Sequence, residues 1–305
     1  MAALATGIVA TAATAFFLEQ YYHYITTRPD TQSLLHSPDC VHFVVLLKHS
    51  SLQEVLDGIR AAVADFKSSA KVVYEGEARF PGSPSQGRLQ QFYPNGWDGC
   101  AIIQVDSKAD VGELRNSVKY SKIIKMCEAS YHVVFKRNRD SSLFLPGYFG
   151  FLRLRNFFTG VKILPFKVAT PEQMKAGLGS SVDGRGAKGR SPKLPPMGEL
   201  SRRDEPTVVV NFDLNGPKTA RKANREYGNS MMPIFAELRT GPISMGKVIS
   251  EEDGIDWDGV VVVHYPTWEL FRGMIGSTAW NGVSGNKQLG DHFAFITNPF
   301  KRSKL

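Results

Sequence analysis

The sequence has few cysteines and lacks the common catalytic motifs. Its three cysteines, Cys40, Cys100 and Cys127, are odd in number and show no Cys-x-x-Cys spacing. The sequence therefore predicts neither a disulfide framework nor a zinc site. It has no Gly-x-Gly-x-x-Gly directly after a predicted strand, no Walker loop, no His-Glu-x-x-His and no Gly-x-Ser-x-Gly. No metal and no cofactor are predicted, and whether the protein is an enzyme stays open.

Positive charge is concentrated in one stretch of the chain. The 305 residues carry a formal net charge of +8, while residues 136–203 contain 14 Lys and Arg against 4 Asp and Glu, a difference of +10. The remainder of the chain is therefore slightly acidic. A polyanion or an anionic membrane surface is expected to meet this basic stretch rather than the protein as a whole.

Both ends of the chain contain candidate targeting signals. Ser303, Lys304 and Leu305 form the peroxisomal import tripeptide, so the tail 301–305 predicts binding by the peroxisomal import receptor. Residues 2–18 hold no charged side chain, which predicts an apolar helix over 1–25 that anchors the protein in a membrane. The expected location is the peroxisome, membrane-anchored or not. The alternative is another organelle membrane, reached through the N-terminal helix.

One motif occurs twice in the chain. Trp97-Asp98-Gly99 and Trp257-Asp258-Gly259 each precede an apolar run, at an offset of 160 residues. At the same offset His132 falls on His292, so the distance from the aspartate to the histidine is the same in both copies. A repeat that keeps its register in this way predicts two homologous modules.

Within each repeat, short apolar runs alternate with helical patterns. "VHFVVLLK" from Val41 indicates a buried strand, and "SLQEVLDGIRAAVADF" from Ser51 places apolar residues at helical spacing. The order that results is β-α-β-β-α-β, and it recurs after residue 205. We place the first module at 38–140 and the second at 205–300, with an aromatic-basic arm and a linker at 141–204.

The arm, residues 143–167, combines aromatic and basic side chains. It contains seven Phe and Tyr residues and four Lys and Arg residues. Three interpretations stay open: contact with an anionic membrane surface, contact with a larger protein complex, or packing across the two modules. The Gly-, Lys- and Pro-rich run that follows, up to about Arg203, predicts a flexible linker.

The third strand of the second repeat is apolar on both faces. Val260 and Val262 point to one face, and Val261 and Val263 point to the other. The helices of the module can cover only one face, so the second face needs another sheet. Two modules in one chain can cover each other in this way, which predicts an α+β fold closed into one barrel.

The second repeat resembles the dimeric α/β-barrel superfamily, which includes the antibiotic-biosynthesis monooxygenases and muconolactone isomerase. The residues that carry the resemblance are Tyr227, Gly246, the run His264-Tyr265-Pro266-Thr267, and Ser277 to Trp280. The resemblance implies two tandem ferredoxin-like modules that form a pseudo-dimeric barrel within one chain. It is nearer to the small uncharacterised families of the superfamily than to its monooxygenases.

Three histidines and two aspartates are the candidate catalytic residues. His132 and His292 would converge on a shared cavity if the two sheets face each other. His264 lies on a third strand, where a neutral histidine can act as a general base. Asp98 or Asp258 would orient a histidine. The alternative for all five is structural, with the Trp-Asp-Gly motif forming a corner at the entry to a strand.

Two ligand classes receive little support from the sequence. Distant members of the superfamily bind haem, which would make His264 and His292 candidate ligands by residue type, but no Cys-x-x-Cys-His is present. RNA-binding modules share the strand order, but their aromatic third-strand signature is replaced here by valines. Nucleic acid is therefore not an expected partner.

Two functions remain open at this point. The first is a non-catalytic interaction or membrane-associated protein, in which large side chains fill the space between the sheets. The alternative is a small-molecule barrel enzyme of the cofactor-independent oxygenase or isomerase type, with an apolar or aromatic substrate in that space. The lack of a complete acid–base set favours the first, and a histidine facing that space would favour the second.

Overall fold

A computed structural model of the chain describes residues 2–31, 40–79, 96–167, 204–215, 220–250, 256–284, 287 and 289–301. The strands are β1 (Val41–Lys48), β2 (Lys71–Ala78), β3 (Gly99–Val105), β4 (Ala129–Arg137), β5 (Thr207–Asn215), β6 (Pro242–Ser250), β7 (Gly259–Tyr265) and β8 (Leu289–Pro299). The helices are α1 (Ala2–Thr26), α2 (Leu52–Phe66), α3 (Lys108–Asn116), α4 (Val118–Met126), α5 (Arg139–Thr159), α6 (Ala220–Leu238), α7 (Trp268–Ile275) and α8 (Thr278–Ser284).

All eight strands belong to one closed barrel. Their order around the barrel is β1-β3-β2-β8-β5-β7-β6-β4, and each neighbouring pair is antiparallel. The strands β1–β4 and β5–β8 each have the ferredoxin-like arrangement. Two strand pairs, β2/β8 and β4/β6, join the modules, and we call them the seams. The α+β class and the barrel of two tandem modules are therefore confirmed.

The Trp-Asp-Gly motifs form the same corner in both modules. The side chain of Asp98 accepts the backbone N–H of His49 through Oδ2 at 3.1 Å. Asp258 accepts the backbone N–H of Asn215 through Oδ2 at 2.7 Å. These bonds tie the end of β1 to the start of β3, and the end of β5 to the start of β7.

The expected match between His132 and His292 is wrong by two residues. Leu47 and Asp213 are equivalent, because each pairs with the glycine that begins the third strand of its module. In the fourth strand, Leu47 pairs with Ser130, whereas Asp213 pairs with His292. His292 therefore corresponds to Ser130 and not to His132. Since two residues make one full strand period, both histidines still point to the same face.

The interior of the barrel is apolar and aromatic over most of its length. Trp97 and Trp257 are both buried there, and Trp257 Nε1 donates a hydrogen bond to the Tyr131 hydroxyl at 2.8 Å. The ring centroids of Phe212 and Trp257 are 6.0 Å apart, and those of Phe212 and Phe293 are 5.8 Å apart. Burial of this much aromatic surface is a major source of stability for the barrel.

The outer faces of the two sheets are covered by separate helical layers. Residues of α2, α3 and α4 pack on the first module, and residues of α5, α6 and α7 pack on the second. Each sheet is thus buried on both sides, as the two-faced apolar pattern of β7 requires.

The prediction of a membrane-spanning N-terminal helix is wrong. No helix in the described part of the chain is long and apolar enough to cross a membrane. The 25 residues of α1 are rich in Ala and Thr and contain Glu19, Gln20 and three tyrosines, so their hydropathy is low. The last turns of α1 pack on the protein instead: Gln20 and Tyr24 are buried, and the Tyr24 hydroxyl donates to Pro242 O at 2.9 Å.

Two other sequence predictions concern residues outside those described. The expected flexible linker falls largely on residues 168–203, and the import tripeptide occupies 303–305. Both stay predictions. Most of the arm is described: α5 covers Arg139–Thr159 and packs on the second module through Leu145, Phe149 and Leu152.

Candidate active site at one end of the barrel

The barrel interior changes from apolar to polar towards one end. Polar side chains from five consecutive strands, β3, β1, β4, β6 and β7, meet there. Four of them continue the interior face of their strands at the spacing of two, and the fifth, Ser244, bonds to one of the four. We call this set the polar end: Gln104, His42, Arg137, Ser244 and His264.

The chain segment after α1 covers the polar end. Tyr24 is bonded to the start of β6, and the backbone N–H of Thr31 donates to Val73 O of β2 at 2.8 Å. Because β6 and β2 are opposite strands in the barrel order, the segment crosses the barrel end. It carries a buried ion pair: Arg28 donates from Nε and Nη2 to Asp30 at 2.8 and 2.5 Å, and the two side chains are 3% and 1% exposed.

His264 is held in one tautomer by Thr240. The Thr240 hydroxyl lies 2.6 Å from the His264 carbonyl oxygen and 3.0 Å from His264 Nδ1. A carbonyl cannot donate, so the single hydroxyl proton must go to it, and Nδ1–H must then donate to Thr240 Oγ1. Nε2 is left with a free lone pair. No described residue lies within hydrogen-bonding reach of this buried atom.

Burial keeps the His264 ring neutral. Desolvation, followed by the positive charge of Arg28, lowers the pKa of His264 to about 3. At neutral pH the ring therefore presents an unprotonated Nε2 in a water-poor environment, where it can accept a proton or a hydrogen bond.

The guanidinium group of Arg28 lies close enough to this ring to lower its pKa, and Arg137 lies near Arg28 at the same end of the barrel. Burial and the neighbouring charge of Arg28 lower the pKa of Arg137 to about 10, so the group still carries its charge at neutral pH. Arg28 is ion-paired with Asp30. Because the Arg28–Asp30 pair has no net charge, the positive charge of Arg137 is what favours an anion that develops at the polar end during a reaction.

The remaining polar side chains belong to the same end of the barrel. His42 Nδ1 lies 2.9 Å from Ser244 Oγ, which links β1 to β6 across a seam, and its ring packs edge-on against Phe135. The side-chain oxygen of Gln104 is buried, and no partner for it lies among the residues that the structure describes. Together with His264 Nε2, this oxygen is a second polar atom that a ligand could satisfy.

His132 and His292 lie outside the barrel interior and do not converge. His132 is buried beneath α4, stacked on Phe43 with centroids 5.3 Å apart, and burial lowers its pKa to about 3. His292 is on the outer face of the second module, with Nε2 3.2 Å from Asn211 Oδ1. Burial, followed by the positive charge of Lys287, lowers the pKa of His292, and the Asp213 carboxylate lies 3.6 Å from His292 Nε2.

The two aspartates serve the corners and not the polar end. Besides the backbone bond already described, Asp98 Oδ1 pairs with Lys48 Nζ at 2.8 Å. Asp98 and Asp258 flank the tryptophans at the opposite, apolar end of the barrel interior. Of the five candidates, the structure therefore brings only His264 into the polar end, and the catalytic roles named for the others stay untested predictions.

Sequence reasoning missed most of the polar end. His42 and Gln104 each interrupt an apolar strand on its interior face, which was the available signal. Arg137 was counted only as part of the basic stretch. Arg28 and Asp30 had no sequence signal, because their burial depends on how the N-terminal segment crosses the barrel. Among the described residues, no cluster of three or more His, Cys, Asp or Glu side chains could hold a metal ion.

The chain is similar in fold to several solved structures. A Lactobacillus acidophilus protein with a provisional assignment as a monooxygenase matches over 86% of this chain and 93% of its own, with 7% identity and a TM-score of 0.40. An anthrone oxidase-like protein matches over 87% and 93%, with 8% identity and a TM-score of 0.44. A variant of chlorite dismutase from Candidatus Nitrospira defluvii matches over 87% and 94%, with 13% identity and a TM-score of 0.41.

These similarities concern the fold alone and carry no inference about chemistry. The sequence matches no protein-family model and no curated protein. The closed barrel of two ferredoxin-like modules agrees with the architecture that the sequence resemblance implied.

Proposed function

We propose that the chain is a small-molecule barrel enzyme that removes a proton from its substrate through His264. The observation that carries this proposal is the lone pair of His264 Nε2, which is buried on an interior-facing side chain and has no partner in the described part of the chain. A buried polar atom without a hydrogen bond is unfavourable, and a donor group on a bound molecule would satisfy it. A histidine with a fixed tautomer and an open Nε2 is suited to act as a base.

The walls of the barrel favour an apolar or aromatic substrate. Next to the polar end the interior is formed by valines and phenylalanines such as Val208, Val262 and Phe295. Sites for small molecules are typically apolar cavities with a few convergent polar groups. We therefore expect an aromatic or alicyclic body against these walls, with its acidic C–H or O–H at His264.

The proposed step is a proton transfer from the substrate to His264. The C–H or O–H bond of the substrate breaks, the proton goes to His264 Nε2, and the electron pair stays on the substrate as an enolate or phenolate. The Nδ1–H bond to Thr240 is kept throughout. The positive charge of Arg137 favours the new anion, and the attraction between this anion and the imidazolium offsets the desolvation that keeps the His264 ring neutral before the transfer.

The fate of the anion separates two versions of the proposal. In an isomerase the proton returns to a different carbon atom. In a cofactor-independent oxygenase the anion is oxidised by O2. Both versions share the first step, so the first step is what the experiment should measure.

One observation favours the non-catalytic alternative. Trp97, Tyr131, Phe212 and Trp257 fill the other end of the interior with large side chains in mutual contact. A barrel filled in this way along its whole length would be a scaffold for interactions and would bind no substrate.

The test uses enolisable bicyclic and tricyclic ketones as probes, beginning with 2-tetralone. Deuterium exchange at the carbon next to the carbonyl is followed by NMR in D2O. We expect exchange faster than in buffer, and a fall of roughly 100-fold or more in His264→Asn, since general-base catalysis contributes about that much. Asn can keep the hydrogen bond to Thr240 while it lacks the Nε2 lone pair.

The matched control is His132→Asn, because His132 is another buried, neutral strand histidine that lies outside the interior. It should exchange the probe like the unaltered protein. The proposal fails if no probe in the panel exchanges faster than in buffer, or if His264→Asn, shown to be folded by circular dichroism, keeps the full rate.

A further inference from the structure

Two helices form an antiparallel pair on the outside of the second module. Gly150 of α5 lies against Phe17 and Gln20 of α1, and Gly147 lies against Tyr21. Higher residue numbers in α5 thus meet lower numbers in α1, which defines the antiparallel arrangement. The pair is also linked by a hydrogen bond of 2.7 Å from Arg153 Nη1 to Gln20 Oε1.

Each helix exposes a stripe of apolar side chains. The exposed residues recur at spacings of three, four or seven, which place them on one side of a helix. We call the combined set the aromatic face: Leu18, Tyr22 and Ile25 on α1, and Phe144, Tyr148, Phe151 and Phe158 on α5. Phe158 is 80% exposed, so the face is not covered by the rest of the described chain.

The two stripes point in the same direction. At about 100° per residue, each stripe lies roughly a third of a turn from the side on which the helices touch, in the same rotational sense along each chain. In an antiparallel pair this arrangement places both stripes on one side. The opposite side of α5, with Leu145, Phe149 and Leu152, packs on the module. The result is one continuous apolar surface across two helices, larger than the scattered exposed residues usual on a soluble protein.

The surroundings of the aromatic face are basic. Arg155 lies within the α5 stripe, between Phe151 and Phe158, and Lys162 and Lys167 follow it as exposed residues. Residues 139–167 contain five Lys and Arg and one Asp. On α1, the carboxylate of Glu19 is paired with Arg239 at 2.6 Å.

We propose that the aromatic face binds the surface of an anionic lipid bilayer, with α1 and α5 lying in the plane of the interface. Aromatic and aliphatic side chains enter the headgroup region while basic residues stay near the lipid phosphates. Association is peripheral, since no described helix can cross a bilayer. A second copy of the chain is a less suitable partner, because it would bring its own basic residues against Arg155 and Lys162.

The test is co-sedimentation of the full chain with vesicles of phosphatidylcholine, with and without phosphatidylserine. We expect binding to the anionic vesicles at least about tenfold stronger than to the neutral ones, and weaker at high salt. Arg155→Glu with Lys162→Glu should reduce binding by more than about fivefold per residue. Phe151→Ser with Phe158→Ser should reduce it on both kinds of vesicle.

The control is Val118→Ser, which removes an equally exposed apolar side chain from α4 of the first module and should bind like the unaltered protein. Equal binding to both vesicles, or no loss in the Phe151/Phe158 variant, would overturn the proposal. So would a dimer in light scattering that dissociates when Phe151 and Phe158 are replaced, because the face would then join two copies of the chain.

Discussion

Gln104 stands near the end of the third strand in the first module, and His264 stands at the equivalent position in the second. The residues that face them on the first strand of each module also differ. Gln104 pairs with the polar His42, whereas His264 pairs with the apolar Val208. The charged Arg137 has Pro299 as its counterpart. The polar end is therefore asymmetric although the strands that form it are related by the repeat.

The residues that build the barrel show the opposite behaviour. Both modules keep the Trp-Asp-Gly corner, and both have a glycine on the second strand at a seam, Gly76 in one and Gly246 in the other. A side chain at either glycine would meet the neighbouring strand. Positions fixed by the barrel have thus stayed alike, and positions that line the polar end have diverged. We infer one site per chain and not two.

Substitution of a seam glycine is expected to reduce the stability of the barrel more than any other change considered. A Cβ at Gly246 would lie 1.8 Å from Lys136 O, a backbone atom, whereas a Cβ at Gly76 would meet the Tyr74 hydroxyl at 2.7 Å and Thr297 Oγ1 at 2.8 Å. We expect Gly246→Ala to lower the free energy of unfolding by about 4 kcal/mol or more, because the β4/β6 seam must separate. Gly76→Ala should cost about 1–3 kcal/mol, since side chains can move. Urea denaturation of both variants measures the difference, and equal losses would contradict the account of the seams.

The corner aspartates come next. Each accepts a backbone N–H, and Asp98 also pairs with Lys48. We expect Asp98→Ala to cost about 2–3 kcal/mol and Asp258→Ala about 1–2 kcal/mol, as for hydrogen bonds to charged groups. Probe exchange should be unchanged in both. A loss of exchange with normal stability would restore these residues as catalytic candidates.

His132 in the first module is expected to have a smaller effect, on how stability depends on pH. The folded-state pKa of His132 lies at about 3, below its value of about 6.5 in the unfolded chain, so the unfolded state binds the proton first as the pH falls. The stability that neutral His132 contributes is present above about pH 6.5 and is lost towards pH 3. Between about pH 6 and pH 4.5, the free energy of unfolding of His132→Asn should therefore fall by about 2 kcal/mol less than that of the unaltered protein.

Urea midpoints at the two pH values, with Val118→Ser as a variant that adds no titrating group, measure this difference. Ala294 occupies the position equivalent to His132 in the second module, so no matching effect is expected from that site. If the free energy of unfolding falls by the same amount in His132→Asn and in the unaltered protein, burial does not lower the pKa of His132 in the folded state.

The sequence predicted the architecture because repeats and strand patterns are local features. The Trp-Asp-Gly motif, the alternation in β7 and the β-α-β-β-α-β order were sufficient for a closed barrel of two modules. The gapless match of His132 to His292 failed, since it ignored the connection before the fourth strand, which is two residues longer in the second module. The prediction of a membrane helix was wrong because the absence of charged residues from 2–18 was given more weight than the low hydropathy of an Ala- and Thr-rich segment.

The polar end could be predicted only in part. His264 was identified as a strand histidine, but its side of the barrel depends on register, and its free Nε2 depends on Thr240. Arg28 and Arg137 are 109 residues apart in the chain and approach each other only when α1 and β4 reach the same barrel end. Such contacts are set by tertiary structure and leave no spacing pattern in the sequence.

The tautomer of His264 tests the central claim most directly. Long-range proton–nitrogen correlation NMR on the 15N-histidine-labelled protein, with His264→Asn to assign the signal, reports which ring nitrogen carries the proton. At neutral pH we predict a neutral ring with its proton on Nδ1 and a bare Nε2. A proton on Nε2, or a cationic ring, would mean that His264 has no free lone pair facing the barrel interior, and it would contradict the proposed role as a base.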